Sequence, residues 1–183
     1  MDVLDFPDAD AWSAWLEQNR EHSTEAWLRI ARKNSGLESI SISDALDVAL
    51  THGWIDGQRR SNDEVSFLQR YCPRRPTSSW SQVNVQKVEA LTAAGRMRPG
   101  GIAEVDRAKA DGRWDAAYES QATAEPPPDL VAALDASPAA KASFEALGRT
   151  ERYTIILQLL KARTPEGRVK ILSREVERLG GGQ

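Results

Sequence analysis

The chain has 183 residues, 40% of them hydrophobic and 28% charged, enough apolar material for one compact domain or two small ones sharing a core, which excludes an intrinsically disordered chain. A net charge of −3 and a pI near 5.5 fall short of the basic footprint of a dedicated nucleic-acid binder. One cysteine, Cys72, and two histidines, His22 and His52, exclude an internal disulfide and leave no Cys/His set at zinc spacing, so neither a metal nor a cofactor is expected.

The opening Met1-Asp2-Val3-Leu4-Asp5-Phe6-Pro7-Asp8 carries acids where an export signal would carry a basic stretch and an apolar run, so a cytoplasmic setting is expected. No window approaches the roughly 18 uninterrupted apolar residues of a membrane span. Trp12, Trp15 and Leu16 recur at helical spacing behind Pro7 and Asp8, predicting a helix that ends near Asn19. Residues 26–32 alternate two faces and read as a strand. Ser43 then caps a helix with Asp44 in its first turn, closed by Gly53. Gly53-Trp54-Ile55-Asp56-Gly57 and residues 65–71 follow as strands.

Two prolines make 72–79 an extended loop. Ser81 opens a helix that runs to Gly95, with Trp80 able to pack on Val85 as a hydrophobic staple. A turn at Met97-Arg98-Pro99-Gly100-Gly101 precedes a short helix stopped by Gly112. Residues 119–128, rich in Ala and Pro, read as a linker. Beyond it, Pro128, Ser137-Pro138, Thr150 and Thr164-Pro165 each open a helix, and the terminal Gly180-Gly181-Gly182-Gln183 should fray. The expected fold is α+β: a small, mainly antiparallel sheet with helices in an N-terminal part (1–118), then an all-helical C-terminal part (129–183) packed on it.

Charge alternates along the chain. Residues 1–58 and 114–148 are acidic, 59–113 and 149–183 basic, which suits mutually facing or solvated segments better than one positive surface. There is no phosphate-binding glycine loop, internal repeat or sustained heptad seam.

The ordered blocks Trp15-Leu16, Trp27-Leu28, Ala45-Leu46-Asp47, Gly53-Trp54-Ile55-Asp56-Gly57 and Pro73-Arg74-Arg75-Pro76, then Ser78, Trp80-Ser81, Asn84, Gly95-Arg96-Met97, Asp111-Gly112-Arg113-Trp114 and Ala117-Tyr118, resemble the YdeI/OmpD-associated family, also called bacteriocin-protection proteins. The resemblance spans roughly residues 12 to 179. It implies a role in tolerating bacteriocins or cationic antimicrobial peptides and an association with an outer-membrane porin, and it brings no catalytic residues.

Local chemistry points to one candidate ligand site: Trp27, Trp54 and Asp56 on strands, Arg74 and Arg75 in the Pro-bounded loop, then Ser78, Trp80, Ser81 and Asn84 at a helix start. Two guanidinium forks and a helix N-terminus suit a carboxylate or phosphate, and a tryptophan can stack on a ring. The same residues can instead be structural, with Asp56 pairing Arg74 or Arg75 internally. The expectation is a binding module for a small anionic ligand or an acidic protein segment. An enzyme with Asp56 as general base and a nucleic-acid binder are the alternatives.

Overall fold

Period-two and period-3.6 apolar patterns follow one another in the first half of the chain, and strands and helices form accordingly. The structure, a computed structural model, describes residues 2–120, 123–162 and 164–181. Its elements are β1 (Val3–Leu4), α1 (Ala9–Asn19), β2 (Ala26–Ala31), α2 (Ile42–Thr51), β3 (Trp54–Ser61), β4 (Ser66–Pro73), α3 (Gln82–Ala93) and α4 (Pro99–Ala110). They continue with α5 (Pro128–Asp135), α6 (Pro138–Ala146), α7 (Arg149–Leu160) and α8 (Pro165–Gly180). The fold is therefore α+β. The chain divides into one unit of Met1–Trp80 with Asn84–Ala116 and another of Ser81–Val83 with Ala117–Gln183.

In the first unit the strands lie in the order β1-β2-β4-β3. β1 runs parallel to β2, and the other two pairings are antiparallel. Ala26, Leu28, Ile30, Tyr71 and Trp54 share one face, over which α1 and α2 lay Trp12, Leu16, Ala45, Val48 and Ala49. The Trp12 ring stacks on Trp15 at 5.4 Å, meets Trp54 edge-on at 6.3 Å, and donates its indole N–H to the Ala45 carbonyl at 3.1 Å. A buried indole thus fills the core while its polar edge is satisfied by the neighbouring helix.

Asp8 caps α1, its carboxylate accepting from the Ala11 N–H at 2.9 Å. Ser41, rather than the expected Ser43, caps α2: its hydroxyl accepts from the Asp44 N–H at 3.1 Å and donates to the Asp44 carboxylate at 2.7 Å, which brings Ile42 into the first turn. The expected turn over 97–101 is shorter than read, because α4 begins at Pro99 and includes both glycines. Close approach explains their presence. A Cβ on Gly101 would collide with the Thr51 carbonyl, and one on Gly100 would lie 2.8 Å from the His52 carbonyl. Gly53, at φ +80, turns the chain from α2 into β3 beneath the same contact.

The second unit gathers Leu130, Leu134, Phe144, Ile155, Ile156, Leu159 and Leu179 into its own core. Asp129 in the first turn of α5 takes a two-pronged grip from Arg168 at 2.6 and 2.8 Å, and Arg168 also donates to the Leu159 carbonyl at 2.6 Å, tying α5, α7 and α8 at one point. Gly148, not Thr150, precedes α7, with its N–H given to the Glu151 carboxylate at 3.0 Å. Within the expected linker, Gln121 and Ala122 lie outside the described residues, as do Gly182 and Gln183 of the tail; Gly180 closes α8.

Two outcomes follow. Alanine is the better helix former by about 1 kcal/mol, but overpacking a backbone contact costs about 1–3 kcal/mol, so Gly101→Ala should lower the urea midpoint rather than raise it. His52, 3% exposed and 3.0 Å from the Ser13 hydroxyl, is pushed down to about 4 from 6.5, mainly by burial. Its folded pKa lies below the unfolded one, so the unfolded state takes up the proton first and stability falls as pH drops below 6.5. Urea unfolding from pH 6.5 to 5, above most carboxylate titration, should show a loss of about 2 kcal/mol that His52→Gln abolishes.

Candidate functional site

The residues singled out from sequence go to several places. Trp54 is 2% exposed and sits in the core edge-on to Trp12 and Trp15, with no face left for a ligand. Trp27 projects from the opposite face of the sheet, where the Arg60 guanidinium covers its ring at 4.5 Å. Arg74 is 5% exposed and lies 3.6 Å over the Trp80 ring, donating to the Ser79 carbonyl at 3.3 Å. Trp80 in turn meets Trp114 at 4.8 Å. Arg74 is therefore a layer of an aromatic stack, whereas Arg75 beside it is exposed.

Ser78 closes the intervening turn. Its hydroxyl accepts from the Arg75 N–H at 3.2 Å, its own N–H donates to the Arg75 carbonyl at 2.9 Å, and its carbonyl accepts from Arg113 at 2.8 Å. Ser81 forms an isolated bridge with Tyr118, and Asn84 is half-buried in the first turn of α3. Asp56 lies opposite Tyr71 in the β3–β4 ladder. Loss of water pushes its carboxyl upward, against its own backbone N–H and the Arg74 and Arg59 guanidinium groups. The residue as a whole is exposed, so this reflects crowding at the strand edge rather than a buried acid. Asp56 makes no side-chain hydrogen bond to another residue among the described residues.

A different set does converge. β2 and β3 each run antiparallel to β4, so their C-terminal ends lie at the same end of the sheet. That brings Arg32 and Lys33 together with Arg59, Arg60 and Ser61 around Phe67, in an open cavity of about 480 Å³. The register between Asp56 and Arg59 shifts, with Gly57 and Gln58 opposite the single residue Arg70. The extra residue returns Arg59 to the face of Gln69 and Tyr71 and sends Arg60 to the face of Trp27. Arg59 then stacks over Phe67 at 4.5 Å.

Gln69, 3% exposed, holds this bulge. Its amide N–H group donates to the Gly57 carbonyl at 3.1 Å and the Gln58 carbonyl at 3.4 Å, while its oxygen accepts from Arg59 at 3.3 Å. Arg32 is held by the Asp63 carbonyl at 3.3 Å and the Ser61 hydroxyl at 3.2 Å. Arg32 and Arg59 are thus oriented by neutral acceptors, which fix their geometry without cancelling their charge. The nearby Asp63 carboxylate is taken by the Ser66 hydroxyl and by Arg29 at 3.1 Å; the Ser66 bond above all holds its pKa down. Lys33 makes no ion pair among the described residues.

The arrangement offers fixed guanidinium forks, an ammonium and a hydroxyl over an aromatic floor, the chemistry of an anion site. The groups of three or more His, Cys, Asp or Glu that could hold a metal are absent among the described residues. In the sequence, the Gln58-Arg59-Arg60-Ser61 run after Gly57 was the available signal. Spacing alone does not show that Arg32-Lys33 ends on the same side of the sheet.

Residues 4–104 match the family model described as Domain of unknown function (DUF8412), and residues 123–182 match that described as Bacteriocin-protection, YdeI or OmpD-Associated. The second is the family that the sequence blocks resemble, whereas the Gly-Trp-Ile-Asp-Gly and Pro-Arg-Arg-Pro blocks and the basic cavity fall within the first. No curated protein and no solved structure matches the chain.

The two arginines of the loop should separate cleanly on substitution. Arg74→Ala removes a buried cation–π layer and a carbonyl's donor, and should cost about 2 kcal/mol in chemical denaturation, while Arg75→Ala should stay within about 0.5 kcal/mol of the parent.

Proposed function

We propose, from the premise that this chain belongs to the family described as Domain of unknown function (DUF8412) and joins to it a bacteriocin-protection, YdeI or OmpD-associated region, that it is a binding protein for a small multivalent anion. The proposed site is the cavity at the sheet end, and the match of residues 123–182 to the bacteriocin-protection model supports a link between that binding and bacteriocin tolerance.

One observation carries the reading: Arg32 and Arg59 are locked in place by a carbonyl, a hydroxyl and an amide, none of which carries charge. A surface arginine whose task is stability is usually matched to a carboxylate, as Arg29 is to Asp63. Orienting a guanidinium beforehand while leaving it charged lowers the ordering cost of binding an anion. Phe67 and the stacked Arg59 favour a ligand with a planar or polarizable body beside its charge. The net charge of −3 favours a short anion over a polyanion, since the field is positive only near the cavity and is screened within about 8 Å at physiological salt.

Titration calorimetry with inorganic pyrophosphate at low ionic strength should give saturable one-to-one binding. Arg59→Glu and Lys33→Glu should each weaken it tenfold or more, about 1.4 kcal/mol. Equal affinity in the parent and both variants would remove the site. A single-stranded oligonucleotide that binds far more tightly than pyrophosphate, with a steep salt dependence, would replace the small anion by nucleic acid.

A further inference from the structure

A second cavity, of about 390 Å³, lies wholly within the C-terminal unit and has a different character. Its floor is Phe144 of α6 and Ile156 of α7, 5% and 4% exposed. Arg149, Arg152, Tyr153 and Ile156 all line it from α7, at the i, i+3, i+4, i+7 spacing that puts them on one face of a helix. Along that stripe the chemistry changes from cationic at the N-terminal end to apolar one to two turns later.

The polar groups are disposed to keep that gradient. The Tyr153 hydroxyl donates away to the Glu119 carbonyl at 2.9 Å, so the ring lends an apolar wall. Arg152 is oriented by a neutral acceptor, the Leu147 carbonyl at 2.9 Å, and Arg149 makes no ion pair among the described residues. Glu151, the acid of the first turn, is folded back onto the Gly148 N–H at 3.0 Å and does not line the cavity.

We infer that this cavity binds a small amphiphilic carboxylate, with its head on Arg149 and Arg152 and its aliphatic or aromatic body along Tyr153 toward Phe144 and Ile156. An anion without a body would leave the apolar floor wet, and an apolar molecule without a charge would leave the two arginines unused. The volume lies within the range of about 300–1,000 Å³ usual for small-molecule sites. This site is independent of the basic cavity on the sheet: the two lie in different units and share no residue.

The test uses the full chain and three probes, octanoate, acetate and octylammonium, followed by calorimetry. Octanoate should bind saturably with a stoichiometry of one, acetate at least tenfold more weakly, and octylammonium not at all. Arg149→Glu, an exposed position that holds no part of the fold, should weaken octanoate tenfold or more while leaving pyrophosphate binding and the melting temperature unchanged. Arg152→Lys should weaken it less. Absence of octanoate binding, equal binding of acetate or octylammonium, or an affinity undiminished in Arg149→Glu would each overturn the assignment.

Discussion

The buried side-chain amide of Gln69 is the constraint on which the arrangement at the sheet end depends. One group closes four contacts at once: the Gly57 and Gln58 carbonyls of the bulged segment, the Arg70 carbonyl opposite, and the Arg59 guanidinium. An extra residue in a strand leaves backbone groups without ladder partners, and burying them unmet would cost more than the bulge could return. Gln69 supplies the missing donor. With the bulge held open, the ladder resumes with Arg59 opposite Gln69 and Arg60 opposite Leu68, and each guanidinium lies over an aromatic ring.

Beneath that edge, the first unit is built on aromatic packing. Trp12 touches Phe6, Trp15, Trp54 and Tyr71, so a single residue in α1 fixes the approach of the helix to side chains of β3 and β4. On the other side of α2, three glycines allow backbone to lie against backbone at the start of α4. Large rings where area is needed and absent side chains where distance is needed are two ways of fixing the position of α2. The second unit relies on a mainly aliphatic core around the single buried ring of Phe144, and on the grip of Arg168 on Asp129.

Much of this was legible beforehand. The Trp12-Trp15-Leu16 spacing, the alternation over 26–32 and the Pro-opened helices all report local physics, and they gave helices and strands close to where they lie. Cap choice between Ser41 and Ser43 was less legible, since both are good caps and only the position of Ile42 in the first turn decides. The candidate site was the least legible. Arg74 and Arg75 look alike in a sequence, yet one is a layer in an aromatic stack and the other reaches solvent. The basic dipeptides at 32–33 and 59–60 are brought together by strand order, a non-local property that spacing along the chain does not encode.

β3 is the terminal strand of the sheet, and the exposed edge of a sheet is a template for pairing with another chain. The bulge and the charges of Arg59 and Arg60 are the devices that keep such an edge unattractive, so the groups offered to a ligand also guard against aggregation. Neutralising them therefore has a second effect. A bound multivalent anion of the proposed kind would lower the electrostatic repulsion between two such edges at the moment the site fills, leaving the kink of the bulge as the remaining barrier to strand-to-strand association. On the proposed reading, occupancy of the site and association of the edges would be coupled through the same two side chains.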